Sequence, residues 1–351
     1  MSTTEASTDA PAGTSPATDP RIDRRLRAAL AVFELDGPAA PAPFGRDAGL
    51  DAIAEYLEAA DAGFTALYAN LPGGDDLRFT SHTIEGTDGN ELVLRVFRPE
   101  GVDTDVPAVI YIHGGGMTIL PTDGLPHLRW CQAMADRGVI AISADFRNAY
   151  TAEGRNPFPA GLDDCAACID WVHANRSELG ISKVVVQGES GGGNLTLAST
   201  LKAKREGRLE AIDGVYASVP YISGGYGWDE ARRAEELPSL VENNGMFLDC
   251  TMMDLLVAYY GGEPTDPLVW PYFASTSDLE GLPPHVISVN ELDPLRDEGI
   301  AFYRKLLAAG VPTTGKVNLG IVHGAEMIFS DAIPDVHDAA VDDIVAFAQR
   351  I

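Results

Sequence analysis

The stretch Gly188-Glu189-Ser190-Gly191-Gly192 constrains this chain most. Val184-Val185-Val186 precede it with strand character, and Asn194-Leu195-Thr196-Leu197-Ala198 follow it with helical character. A strand that gives way to a helix over so short a span must bend sharply. The bend lifts the Ser190 hydroxyl above the edge of a sheet, and the flanking glycines let the backbone turn and leave room for a ligand. The pattern G-x-S-x-G takes its weight from that setting, because glycine is abundant here, 36 of 351 residues.

A second segment supplies what such a serine needs. Val109-Ile110-Tyr111-Ile112 reads as a strand, and His113-Gly114-Gly115-Gly116 follows directly. Residues without side chains present their N–H groups unobstructed. Donors held in this way act on the negative charge that develops in acyl transfer, where one of them contributes about 3 kcal/mol. HGGG loops partner G-x-S-x-G turns in lipases and esterases.

The remaining partners of an acyl-transfer serine follow in the order Ser, acid, His. His285, His323 and His337 come after Ser190. Residues 285–290 read as a strand, and Asp293 sits on the loop that leaves it, where sites in open α/β sheets collect. Pro294 keeps Asp293 out of helix. A helix near 297–310 and a last strand near 315–319 then place His323 on the following loop. Glu291, Asp297 and Glu298 compete with Asp293. Glu291 is too close to the strand, and Asp297 and Glu298 suit the first turn of a helix. His285 begins a strand and is expected to be structural. His337 lies on an amphipathic terminal helix and is expected at the surface. His113 and Gly114 shape the glycine loop.

Taken in order, His113–Gly116, Gly188–Gly192, Asp293-Pro294-Leu295-Arg296-Asp297-Glu298-Gly299 and His323-Gly324 resemble the hormone-sensitive-lipase-like carboxylesterases of the α/β-hydrolase superfamily. Phe146-Arg147-Asn148-Ala149-Tyr150 and Asn156–Ala160 are similar to the segment between those motifs. The resemblance covers roughly residues 80–351. It implies an ester hydrolase without cofactor, with Ser190 as nucleophile, Asp293 as acid, His323 as base and the N–H groups of Gly115, Gly116 and Gly191 as oxyanion donors. It also implies a mostly parallel eight-stranded sheet flanked by helices and a helical cap. The cap would join residues 21–80 to an insertion at about 221–275 within a catalytic domain at 81–351. The chain departs from the family at Glu189 and Gly191, where Asp and Ala are common, and at Phe146, where Tyr is common.

Tyr221, Tyr226, Trp228, Met246, Phe247, Met252, Met253, Tyr259 and Tyr260 crowd the insertion. A closed apolar lid over Ser190 argues for short acyl esters, about C2 to C6. Amidase, lactonase and deacetylase chemistry use the same machinery and stay open. A non-catalytic binding protein is the reading from another class, disfavoured because serine, acid and histidine are all present.

Strand signals near 91–98, 106–112, 139–144, 183–188, 215–219, 285–290 and 315–319 alternate with helical ones, the signature of an α/β fold. Residues 1–20 are small and polar and are expected to be disordered. They lack an apolar signal region, no run of 18 apolar residues follows, and the four cysteines give no disulfide framework, so the expected location is cytoplasmic. Cys165 and Cys168 form a C-x-x-C on a helical pattern and read as buried small residues. A net charge of −27, with 5 lysines, opposes binding to phosphate backbones. No metal-ligand spacing, phosphate loop or dinucleotide fingerprint stands out. The expected partner is a small ester, with neither nucleic acid nor membrane, and a homodimer is left open.

Overall fold

The computed structural model describes residues 15–102 and 104–351. Eight strands form one sheet: β1 Thr80–Glu85, β2 Glu91–Phe97, β3 Val106–Ile112, β4 Ile140–Ala144, β5 Ile181–Glu189, β6 Gly214–Ser218, β7 His285–Asn290 and β8 Thr313–Asn318. Their order across the sheet is β1-β2-β4-β3-β5-β6-β7-β8. The pairs β1/β2 and β2/β4 are antiparallel, and the remaining pairs are parallel. Every residue of β4, β6 and β7 is buried. Burial on both faces is what continuous apolar runs dictate, and it requires helices above and below the sheet.

Among the described residues eight helices of nine residues or more accompany the sheet: α1 Arg24–Val32, α2 Leu50–Ala69, α3 Leu125–Ala135, α4 Ala160–Ala174, α5 Gly191–Arg205, α6 Cys250–Tyr260, α7 Arg296–Ala308 and α8 Pro334–Arg350. α4 ends after Ala174, where Asn175 Nδ2 donates to Trp171 O at 2.8 Å, and a short helical turn follows at Arg176–Leu179.

The register of the central strands sets the site. Ile112 at the end of β3 lies opposite Gly188 near the end of β5, and Gly188 lies opposite Ala217 in β6. The HGGG loop and the serine turn therefore leave the sheet side by side. β1 is the one strand of the sheet outside the expected set. Its sequence Thr-Ser-His-Thr-Ile-Glu buries only Ile84, so it carries little hydrophobic signal, and pairing with β2 defines it.

Residues 219–284 connect β6 to β7 and contain α6. The chain before β1 lies along them. Ala39 N–H donates to Gly245 O at 2.8 Å, Ala42 N–H donates to Thr251 Oγ1 at 2.7 Å, and Arg46 pairs with Asp254. Leu26, Leu30, Ile53 and Leu57 are completely buried. The expectation of a disordered segment through residue 20 fails from Ser15 onward; residues 1–14 lie outside the described residues. Ser15 and Asp19 are buried, Ala17 N–H donates to Asp36 O at 2.7 Å, and Asp19 holds Arg21, which reaches Glu242 at 2.6 Å. Hydrogen bonds and ion pairs order this stretch, and a hydrophobicity count does not see them.

Candidate active site

Ser190 is the residue between β5 and α5, with φ 57° and ψ −120°. A non-glycine residue there is strained by about 1–3 kcal/mol and persists only where its surroundings over-determine it. They do so here. Ser190 N–H donates to Ser218 O at 3.0 Å, and Ser190 O accepts from Asn194 N–H and Tyr221 N–H at 3.0 Å each. A methyl group at Gly192 would stand 1.9 Å from Ile112 O, and one at Gly188 would stand 2.4 Å from Gly192 O. Only glycine allows β5, the turn and β3 to approach so closely.

The HGGG loop sits directly against this turn. A methyl at Gly114 would lie 3.1 Å from Ser190 Cβ, and one at Gly191 would lie 2.6 Å from Gly116 N. Gly191 is the first residue of α5, so its N–H has no acceptor within the helix. Among the described residues the N–H groups of Gly115 and Gly116 donate to nothing else. Three unengaged donors thus converge near the serine. His113 is fully buried, stacked between the rings of His127 and Phe146, and its Nδ1 faces Gly114 O at 2.8 Å. Burial pushes its pKa well below the usual histidine value, so it stays neutral. It shapes the loop and does not face the cavity.

Asp293 and His323 meet across the ends of β7 and β8. His323 Nδ1 lies 2.8 Å from Asp293 Oδ2, and Asp293 Oδ1 accepts the Leu295 N–H at 2.8 Å. Asp293 is completely buried and His323 almost so. Burial alone would depress the imidazole pKa. The charge and hydrogen bond of Asp293, aided by Glu326, outweigh it and raise the value above the ordinary 6.5. Among the described residues no hydrogen bond joins Ser190 Oγ to the imidazole; such contacts tighten when a substrate fills the site.

The rival residues have other work. Glu291 accepts the Gly320 N–H at 2.8 Å, and Asp297 accepts the Ser239 N–H at 2.8 Å. His285 is buried with Nδ1 on Pro283 O at 2.7 Å. His337, expected at the surface, is half-buried against the Trp130 ring with Nδ1 2.9 Å from Glu326 O. Cys165 and Cys168 are buried free thiols whose pKa values burial pushes well up. Among the described residues no group of three or more His, Cys, Asp or Glu side chains is placed to hold a metal ion.

Ser190, Glu189, Gly114–Gly116 and His323 open into one cavity of about 620 Å³ counted out to its mouth. Phe64 and Tyr68 of α2 and Met252, Met253 and Leu256 of α6 line it, with Tyr221 and Phe247. Of the aromatic and methionine residues of the insertion, Tyr221, Phe247, Met252 and Met253 thus reach the cavity. Tyr226 stacks beneath Tyr221 at 4.4 Å, and Tyr260 packs on Phe158 and Trp270, as core.

Three further carboxylates support the site in roles the sequence did not single out. Glu298 accepts from Ile222 N–H at 2.7 Å, from Tyr226 OH at 2.8 Å and from Ser223 Oγ, tying α7 to the segment after β6. Glu326 accepts from Asn290 Nδ2 at 2.8 Å beneath His323. Asp61 of α2 accepts the Leu120 N–H at 2.7 Å, anchoring the loop after HGGG. The available clue for Glu326 was an acid in an otherwise apolar run, Gly324-Ala325-Glu326-Met327-Ile328.

Comparison with known proteins bears on the fold and the family. Residues 109–327 match a family model described as the alpha/beta hydrolase fold. The carboxylesterase NlhH of Mycobacterium tuberculosis is 32% identical over 285 residues, covering 79% of this chain and 84% of its own. The solved structure of brefeldin A esterase, described as a bacterial homologue of human hormone sensitive lipase, is 52% identical with a TM-score of 0.93, covering 96% of this chain and 95% of that one. Esterase Est22 is 38% identical with a TM-score of 0.84, covering 96% of this chain and 100% of its own.

Proposed function

Starting from a chain that belongs to the α/β-hydrolase fold family, in its hormone-sensitive-lipase-like branch, we propose that Ser190, His323 and Asp293 carry out its reaction on short-chain acyl esters. The protein is a serine carboxylesterase, as its relatives are. One observation carries the residue assignment: a serine at a positive-φ strand-to-helix turn shares a cavity with a histidine whose far nitrogen is bonded to a buried aspartate.

In the proposed mechanism His323 Nδ1–H donates to Asp293, which leaves the lone pair of Nε2 for the cavity. Ser190 Oγ attacks the ester carbonyl carbon while Nε2 takes its proton. The carbonyl π electrons move onto oxygen, and the N–H groups of Gly115, Gly116 and Gly191 receive that charge. Collapse of the tetrahedral intermediate breaks the C–O bond to the alcohol, which leaves with the proton from Nε2. Water then gives a proton to Nε2 and attacks the acyl-Ser190. The carboxylic acid departs, and the proton returns to Ser190 Oγ.

The helix pair α2 and α6 acts as a two-part cap. Support comes from the apolar side chains that both send into the cavity and from the ties between residues 39–46 and 245–254. A cavity closed over by Phe64, Tyr68 and Leu256 favours small acyl groups. We assign the enzyme to the cytoplasm on its four free, buried cysteines. No helix among the described residues is long and apolar enough to cross a membrane. The test is a p-nitrophenyl ester series from acetate to palmitate. Highest kcat/KM at C2 to C6, and loss of turnover in Ser190→Ala, are expected; a maximum at long chains overturns the acyl-size reading.

A further inference from the structure

Glu189 stands beside Ser190 and is not one of the three residues assigned to the chemistry. We infer that Glu189 is a positioning residue of this esterase, a strut that sets the oxyanion loop against Ser190 and whose charge state governs turnover. The inference rests on Ser190 being the nucleophile.

The geometry is direct. Glu189 ends β5, and its side chain crosses to the neighbouring loop, where Oε1 accepts the Gly114 N–H at 2.6 Å. Gly114 immediately precedes the two loop glycines whose N–H groups are unengaged. Fixing the Gly114 amide therefore fixes the plane from which those donors start. The approach is close enough that a methyl at Gly114 would meet Oε1 at 2.8 Å and Ser190 Cβ at 3.1 Å. Loop, strut and nucleophile form one packed unit, and a displacement of the strut becomes a displacement of the donors relative to the reacting carbonyl. Misplacement of about 1 Å in such a constellation costs on the order of 100-fold in rate.

The second oxygen supplies the charge sensitivity. Glu189 Oε2 is buried and has no hydrogen-bond partner among the described residues. The titratable groups facing the carboxyl are Tyr68 from α2, Tyr111 from β3, Cys131 from α3 and His323 from the loop after β8. Tyr111 OH donates its proton to Met327 Sδ at 3.2 Å. None of these is a permanent cation, and a buried carboxylate without a cation is costly. Burial accordingly pushes the Glu189 pKa up to about 8, against the smaller opposing effects of the Gly114 hydrogen bond and the nearby Tyr111 hydroxyl. At neutral pH the strut is a neutral acid that holds the loop without opposing the oxyanion. Above about 8 it becomes an anion beside the donors. There it repels the charge forming on the substrate and holds the proton on His323 more tightly, so both effects slow acylation.

Glutamine keeps a carbonyl acceptor for Gly114 N–H and never ionises, which separates the two roles. The experiment measures kcat and KM from pH 6 to 10 for wild type, Glu189→Gln and Glu189→Ala, with blank-corrected p-nitrophenyl butyrate hydrolysis. Tm and organophosphate labelling of Ser190 are read on each variant. Wild-type kcat should fall about tenfold per pH unit above a midpoint near 8 if only the neutral acid supports turnover. Glu189→Gln should retain turnover at pH 7 and lose that limb. Glu189→Ala, lacking the acceptor, should lose roughly 100-fold in kcat with KM changed less than about threefold. A wild-type profile flat to pH 10 overturns the charge role without need of any variant. An alkaline limb that persists in Glu189→Gln, or a Glu189→Ala enzyme within about twofold of wild-type kcat, also overturns the inference. Full turnover by Ser190→Ala would instead remove the nucleophile assignment beneath it.

Discussion

Asp293→Asn perturbs the proposed triad with little change of shape. Asp293 is completely buried and has two engaged oxygens, one on Leu295 N–H and one on His323 Nδ1, each at 2.8 Å. An asparagine cannot serve both donors. If its oxygen takes the Leu295 N–H, its amide faces Nδ1 and forces the imidazole proton onto Nε2, where it blocks removal of the Ser190 proton. If its oxygen faces Nδ1, the amide confronts the Leu295 N–H and leaves two buried donors opposed. The first arrangement disables the base, the second removes the charge that stabilises the imidazolium and strains the loop at Leu295, and in both the cavity and the oxyanion donors persist. The expected loss in kcat is about 10³–10⁴-fold, or roughly 4–5.5 kcal/mol of transition-state stabilisation. A second effect runs along the pH axis. His323 works as a neutral base, so activity is lost as pH falls through its pKa, which Asp293 raises above the ordinary value. Removing that charge should move the acid limb of kcat/KM to lower pH while the plateau drops. The assay is p-nitrophenyl butyrate hydrolysis from pH 5 to 9, with Tm confirming an intact fold. A variant within tenfold of wild type, or an acid limb unmoved, would refute the reasoning.

Phe64 lines both the cavity over Ser190 and an outer apolar groove formed with Phe33, Leu35 and Leu67, so Phe64→Ala should join them and raise kcat/KM for C8 relative to C4 esters. An unchanged ratio would count against α2 as part of the lid. Truncation through Asn70 strips the completely buried Leu26, Leu30, Ile53 and Leu57, each worth about 1.5–3 kcal/mol, and should abolish stable folding or activity. Burial raises the pKa of Glu298 to about 7, from an ordinary 4.5. Between those values the folded state keeps a proton that the unfolded chain releases, so this group's contribution to stability falls as pH rises. Tm should decline over that window, and Glu298→Gln should lower Tm at pH 5 yet flatten the slope. A slope equal to wild type would show that Glu298 is not the titrating group.

What was legible in the sequence is what depends on short, contiguous chemistry. The serine turn announces itself because only glycine at 188 and 192 tolerates the approach of β3. The strands buried on both faces announce themselves as apolar runs. Asp293 and His323 were placed by strand ends and chain order, and they meet at hydrogen-bond distance. Features created by pairing across the chain left little trace. β1 has one buried residue and exists through β2. Ser15–Asp19 is ordered by partners as remote as Glu242, through Arg21. Glu298 looked like a helix-start acid, and its three donors come from a segment more than 70 residues earlier. His337 sits on an amphipathic helix, yet the partners that bury one edge of its ring, Trp130 and Glu326, belong to other elements.

The proposal that Ser190 is the nucleophile is tested most directly by covalent labelling. The protein is treated with a serine-directed fluorophosphonate, digested and mapped by mass spectrometry, alongside Ser190→Ala. One adduct per chain is expected, on Ser190, with activity lost in proportion to labelling. No adduct and a fall in kcat of about 10³-fold or more are expected in Ser190→Ala. An adduct on another residue, or near-normal turnover by Ser190→Ala, would contradict it.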